Sequence, residues 1–379
     1  MSIRNNNLGS INKPGFNALG AQTSVTTYTY ELYTWGQNQN GQLGLGNVTY
    51  YSSPKQVGSL TTWLTVVGGF YHTIATKTDG TLWTWGKNVT YGQLGLGNTT
   101  SYSSPKQVGA LATWYKTAGG QTYTVATKTD GTLWSWGNNA QGQLGLGNAS
   151  YYSSPKQVGA LTAWSKVSCT KNSTLAIKTD GTLWTWGYNT SGQLGLGNTT
   201  SYSSPKQVGA LTNWLTIAGG YYQALATKTD GTLWAWGQNN YGQLGDGTTV
   251  NKSSPVQVGA LTTWLTVAAG FYHGVAVKTD GALWTWGYNS VGQLGSGTTA
   301  NTSSPNQVGA LTTWLNIAAR YGFTVASKTD GTLWVWGQSN YGQLGLGNTT
   351  SYSSPKQVGA LNTWSTIGVT RNTTLALKY

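Results

Sequence analysis

The chain has 379 residues, of which only 8% are charged, yet its net charge is +13; it carries 54 Gly, 23 Tyr, 20 Trp, 2 His and 1 Cys. No run of about 18 apolar residues occurs, so no membrane-spanning helix and no membrane insertion are expected, and one Cys rules out an internal disulfide framework or a Cys-rich metal site. The eight acids are too few and too scattered for a carboxylate-driven enzyme or a calcium module, while the aromatic content argues against disorder.

Residues 1–29 have no periodicity and contain Asn5, Asn6, Asn7, Pro14 and Gly15. No apolar stretch follows Arg4, so this is not read as a secretory signal. It is expected to be an irregular N-terminal arm, either a disordered leader or a docking strap, with Phe16 and Leu19 as its apolar anchors.

From residue 30 the chain repeats. A W-G dipeptide followed shortly by G-Q-L-G begins at Trp35, Trp85, Trp136, Trp186, Trp236, Trp286 and Trp336, seven copies about 50 residues apart. Each copy has three aromatic scaffold positions; Tyr33 replaces one of them, and this accounts for all 20 Trp. W-L-T-V, T-I-A-T-K and T-L-W-T-W are short, alternating and β-branched or aromatic, which predicts strands. K-T-D-G between two of them predicts a tight hairpin, and S-S-P-K-Q-V predicts an outer strand that starts at Pro54 and its equivalents. Four strands per repeat and seven repeats predict an all-β fold: a seven-bladed β-propeller of four-stranded antiparallel blades.

The ends of the repeats predict how the ring closes. K-T-D-G occurs six times, at Lys77, Lys128, Lys178, Lys228, Lys278 and Lys328. The seventh hairpin is where the chain is cut, between Tyr379 and Glu31. Residues 361–379 would supply two strands of a closure blade and residues 30–59 the other two, removing both free sheet edges. The domain reading is therefore an arm over 1–29 and a propeller over 30–379.

The pattern G-x-x-H-T-x-A over residues 69–75, with the T-D-G turn, L-W-T-W-G and G-Q-L-G, resembles the regulator of chromosome condensation repeat family. The resemblance covers about residues 30–379 and implies the same seven-bladed propeller. It implies little about function, since one fold serves many tasks. Guanine-nucleotide exchange in the family implies an inserted wedge, and the uniform repeat lengths have none. Ultraviolet-B reception implies extra Trp in G-W-R-H-T motifs, and this chain has no such motif.

Repeats in one chain can be compared with each other. In an antiparallel meander, alternate connections emerge on opposite faces. The K-T-D-G turns and V-G-A-L-T-T links share one face and hardly vary. The other face carries the turn after the first strand and the long loop after W-G, and both vary. Candidate binding residues there are Phe70, Tyr71, His72, Tyr123, Lys171, Tyr221, Tyr222, Phe271, Tyr272, His273, Tyr321 and Arg371. Tyr mixed with Asn, Ser and Gly is the composition of adaptable binding loops. Neutral drift in surface loops is the alternative.

Setting aside the Lys and Asp of the K-T-D-G turns, which are expected to cancel, fifteen basic residues stand against two acids. Lys55, Lys106, Lys156, Lys206 and Lys356 ring the periphery. They are dispersed, so solubility is the expected role and nucleic acid is not an expected partner. His72 and His273 occupy equivalent positions and are expected to pack locally. Cys169 replaces a small buried residue and is expected to be inert. Asp246 is expected to be a solvated surface acid. No catalytic residues, cofactor or metal are expected, and the chain is not read as an enzyme.

Near-identical repeats, low charge and an N-terminal arm also look like propellers of this family found in bacteriophage virions. The expected function is thus a non-catalytic virion component of a tail, neck or capsid surface. Its arm would bind other virion proteins, and its variable face a neighbouring protein or a host glycan. The alternative is a cellular regulator, cytoplasmic, that binds a protein or chromatin.

Overall fold

The computed structural model describes residues 29–379. They form strands β1 to β28 in seven four-stranded antiparallel sheets. The first chain-continuous blade contains β3 (Trp63–Gly68), β4 (His72–Lys77), β5 (Leu82–Gly86) and β6 (Tyr102–Gln107), and five more blades repeat this order.

The seventh blade joins the two ends of the described chain. Its order is β2 (Tyr51–Gln56), β1 (Glu31–Gly36), β28 (Thr373–Lys378) and β27 (Trp364–Val369). β1 and β28 pair without a break from Glu31↔Lys378 to Gly36↔Thr373. The ring is therefore closed by strands from both ends. The N-terminal arm, with Phe16 and Leu19, lies outside the described residues except for Thr29.

The first strand of each blade faces the axis. β3, β7 (Trp114–Gly119), β11 (Trp164–Cys169), β15 (Trp214–Gly219), β19 (Trp264–Ala269), β23 (Trp314–Arg320) and β27 touch in succession and return to β3. They approach closely because most of them end in a small residue, with Arg320 and Val369 as the exceptions. A Cβ at Gly68 would lie 2.2 Å from the Val369 oxygen. Cys169 sits in this column and is buried.

The outer strand differs from expectation at its proline. Pro54 lies inside β2, within an irregularity: Thr34 pairs with Lys55 and Gly36 with Tyr51, so the residues between are skipped. The missing N–H costs nothing there because the ladder makes no bond at that point.

The Trp residues join blade to blade. Trp85 is fully buried, and its indole nitrogen donates to the Gln42 oxygen of the preceding blade at 2.9 Å. Thr73 donates to the same oxygen at 2.7 Å, so both of its lone pairs are used. Five later blades repeat the indole bond, from Trp136 to Trp336. Six of the seven G-Q-L-G loops thus clasp the Trp of the next blade through this bond, whereas the Trp35 indole nitrogen of the closure blade is buried without a partner.

Lys and Asp of the K-T-D-G turn feel each other's charge, as at Lys77 and Asp79, but form no direct ion pair. Asp79 accepts from the Thr81 hydroxyl at 2.6 Å, and Thr81 accepts from the Trp83 indole at 2.9 Å. Lys77 instead places its ammonium 3.8 Å from the Trp83 ring centroid. Among the described residues the ion pairs are Lys252–Asp246 and Lys378–Glu31, and neither lies in such a turn. The geometry favours an N–H···O cap for the carboxylate and an aromatic face for the cation.

Candidate functional site

The variable turns surround the axis on one face, and backbone hydrogen bonds link four of the seven neighbouring pairs. Phe70 N–H donates to the Gly120 oxygen, Gln121 to Lys171, Lys171 to Tyr221, and Arg371 back to Phe70. The first turn residue of each blade therefore sits at the channel mouth, and the second lies farther out.

Structural placement divides the sequence-predicted site residues into two sets. Phe70, His72, Tyr123, Phe271 and His273 are buried and present no side chain to a partner. Tyr71, Lys171, Tyr221, Tyr222, Tyr272, Tyr321 and Arg371 remain half-buried at the surface.

Three of the buried residues clamp neighbouring blades. His72 Nε2 lies 2.9 Å from Thr124 Oγ1, and His273 Nε2 lies 3.0 Å from Thr324 Oγ1. Tyr123 donates to the Ser173 oxygen at 2.6 Å, and Gln223 at the equivalent position donates to Gly270 at 2.9 Å. Burial pushes both imidazoles down to about 3, with the Arg320 charge adding to the effect at His72. They are neutral at ordinary pH. Burial also pushes the Cys169 thiol up to about 12, so it is protonated and a poor nucleophile.

The other two buried residues plug the channel mouth. Phe70 and Phe271 have ring centroids 4.9 Å apart. Arg320 lies beneath, with its guanidinium carbon 4.6 Å from the Phe70 centroid. It crosses the ring to donate to the Gly119 oxygen at 3.0 Å. Burial lowers its pKa to about 10, which leaves it charged at neutral pH. Sequence reading missed Arg320. Its signal was present, because it stands in a column otherwise filled by Gly69, Gly120, Thr170, Gly220, Gly270 and Thr370.

Around this plug runs a polar and aromatic surface. Tyr221 and Tyr222 both accept from the Lys171 ammonium, at 2.7 and 3.1 Å. Burial alone would lower Lys171, but these bonds outweigh it and hold its pKa above the usual lysine value. Tyr188, Tyr241 and Tyr288 of the long loops extend the cluster, with Tyr222–Tyr188 centroids at 5.5 Å and Tyr241–Tyr288 at 4.6 Å. Asp246 is not a solvated acid as expected: its side chain is 8% exposed, pairs with Lys252 at 3.5 Å and accepts from Asn239 at 3.0 Å.

On the other side of the plug is a pocket of about 480 Å³ walled by Gln39, Tyr71, Lys87, Tyr321, Gln338 and Arg371, among others. Three blades build it: Tyr71 and Lys87 come from the first, Tyr321 and Gln338 from the sixth, and Gln39 and Arg371 from the closure blade. Lys87 was seen in the sequence only as part of a variable loop. Its position beside Arg371 depends on ring closure, which brings together residues 284 positions apart in the chain. Among the described residues no group of three His, Cys, Asp or Glu side chains could hold a metal ion.

The family model for the RCC1-like domain matches residues 163–379. The regulator of chromosome condensation (RCC1) repeat model matches residues 31–76, 79–127 and 130–177. This chain belongs to the RCC1-like domain family. It is 36% identical over 127 residues to the ultraviolet-B receptor UVR8 of Arabidopsis thaliana, covering 32% of this chain and 29% of the receptor. It is 31% identical over 134 residues to the E3 ubiquitin-protein ligase HERC2 of Homo sapiens, covering 34% of this chain and 3% of the ligase. It is 34% identical over 123 residues to the RCC2 homolog of Xenopus laevis, covering 31% of this chain and 23% of that protein. The matches thus span under a third of each relative.

Solved structures show the same fold. Human WBSCR16 superposes with a TM-score of 0.82 at 20% identity, over 92% of this chain and 98% of that one. Prp20p of Saccharomyces cerevisiae, studied with its binding to Gsp1p and histones, superposes with a TM-score of 0.82 at 20% identity, over 93% and 92%.

These relatives overturn the virion reading. They are RCC1-like proteins of plant, animal and yeast origin, and they favour the cellular regulator over a phage tail, neck or capsid component. The features that pointed to a virion have a local cause. Seven equivalent blade sites impose the same packing demands, and a core held by Trp and backbone bonds needs few charges.

Proposed function

We propose that this chain is a non-catalytic regulatory module that holds a protein partner against its variable loop face. The observation that carries this reading is the segregation of side chains. The residues that break the repeat and stay at the surface, among them Tyr71, Lys171, Tyr222, Tyr272 and Arg371, gather on one face. The opposite face repeats the same turn blade after blade. Tyr supplies large, amphipathic contact area at low entropic cost, and Arg is similarly enriched at interface hot spots.

Prp20p binds Gsp1p and histones, and a comparable use of the propeller surface is part of this proposal. The peripheral lysines are dispersed along the outer strands, so a protein partner is favoured over nucleic acid. The cytoplasm is the working location in this reading.

Comparative capture from an extract of the source cells tests it. A Tyr188→Ala/Tyr222→Ala/Tyr272→Ala variant should lose the proteins that the natural chain retains. A Lys55→Gln/Lys156→Gln/Lys356→Gln variant of the outer edge should retain them. Equal capture by both variants would remove the loop face as the partner surface.

A further inference from the structure

Resting on the loop-face reading, we propose that the pocket between Tyr71, Lys87, Tyr321 and Arg371 is a carboxylate-binding site for an acidic segment of the protein partner. The cations of this face differ in what already occupies them. Lys171 is engaged by two phenol oxygens, Lys252 by the Asp246 carboxylate, and Arg320 is buried beneath Phe70. Arg371 and Lys87 have space beside them and no acid against them. The residues walling the pocket include no Asp or Glu.

Both cations converge on one phenol. Arg371 donates from Nη1 to the Tyr71 hydroxyl and stacks 4.8 Å from the Tyr321 centroid. Lys87 Nζ lies 5.2 Å from the Tyr71 centroid. These neutral rings fix the cations without cancelling their charge. Two donors of wall residues, Arg371 Nε and Asn40 Nδ2, are buried without a hydrogen-bond partner. Unpaired donors beside uncompensated positive charge suit an oxygen-rich anion. A carboxylate accepts several such bonds and matches the planar guanidinium in two-point contact.

The pocket volume of about 480 Å³ is larger than a single inorganic ion needs. The side-chain amides of Gln37, Gln39 and Gln338 add donors and acceptors of the kind that pair with a peptide main chain. The ligand class that fits is a Glu- or Asp-bearing peptide.

A labelled hexaglutamate peptide titrated into the full chain at low salt, read by fluorescence anisotropy, tests this. Saturable binding is expected, with at least a tenfold loss in Arg371→Gln and in Lys87→Gln. Lys156→Gln on the outer edge should stay within twofold, and hexaglutamine should not bind. Arg371→Lys keeps the charge and should retain part of the affinity, and melting temperatures identify any variant that fails to fold. Lack of hexaglutamate binding, or equal binding by all variants, would overturn the site. Stronger competition by inorganic phosphate or an oligoglucuronate than by unlabelled hexaglutamate would overturn the peptide assignment. If this site fails while Tyr188→Ala/Tyr222→Ala/Tyr272→Ala still abolishes capture, only the carboxylate pocket falls; if both tests fail, the loop-face reading falls with it.

Discussion

The indole nitrogen of Trp85 is bonded to the backbone oxygen of Gln42, 2.9 Å away in the preceding blade. That contact fixes the role of Gly44, which has φ +76° and whose added Cβ would lie 2.7 Å from the same nitrogen. Gly58 has φ +60° but open space around its Cβ position. Gly44→Ala should therefore destabilise the ring more than Gly58→Ala, since both pay the backbone strain and only one meets the indole. Trp85→Ala should cost about 3–5 kcal/mol. Urea unfolding followed by Trp fluorescence measures all three.

Thr124 donates its hydroxyl to the Gln93 oxygen at 2.8 Å, so its oxygen can only accept from His72. That places the imidazole proton on Nε2 and leaves Nδ1 without a partner. The folded pKa of His72 and of His273 is about 3, below the ordinary 6.5. Between those values the unfolded chain binds more protons than the folded one. Stability should be full above about pH 6.5 and decline as pH falls toward 3. The double variant His72→Gln/His273→Gln, which copies Gln223, should flatten the decline between pH 6.5 and 5 in thermal melts. An unchanged slope would assign the acid sensitivity elsewhere.

Phe271 and Tyr272 are adjacent in sequence but have different work. Phe271 is 5% exposed and packs on Phe70 in the channel plug, while Tyr272 stays at the surface. Phe271→Ala should lower stability by about 3–5 kcal/mol. Tyr272→Ala should change it much less and affect partner capture instead. Calorimetric melting of the two variants checks the division.

Much of this architecture was legible in the sequence. Alternation in T-L-W-T-W and the cut at a K-T-D-G hairpin specify blades and closure, because strand periodicity and turn chemistry are local properties. The loop face was legible as variation between repeats. Which of its residues stay accessible was not. Phe70 and Tyr71 look alike as sequence, and only the packing of opposite blades sends one into the plug and leaves the other at the pocket. Arg320, Lys87 and Arg371 acquire their meaning from contacts across the ring. Pro54 was misplaced because a bulge depends on the partner strand, and Asp246 because its cation, Lys252, lies beyond an intervening loop.

Closure of the ring rests on burial more than on charge. Glu31 and Lys378 pair at 3.3 Å but remain partly exposed, whereas Leu375 is fully buried. Glu31→Gln should cost under about 1 kcal/mol and Leu375→Ala about 2–5 kcal/mol. Denaturation at low and high salt separates the two, since only the ion pair should respond to screening.

Lysine acetylation of the chain, free and bound to its captured partner, tests the central claim most directly. Lys87 and Lys171 mark the loop face, while Lys55, Lys156 and Lys356 mark the outer edge. Mass spectrometry should find Lys87 and Lys171 protected on binding and the outer-edge lysines as reactive as in the free chain. Protection of the outer-edge lysines, with Lys87 and Lys171 unchanged, would contradict the account.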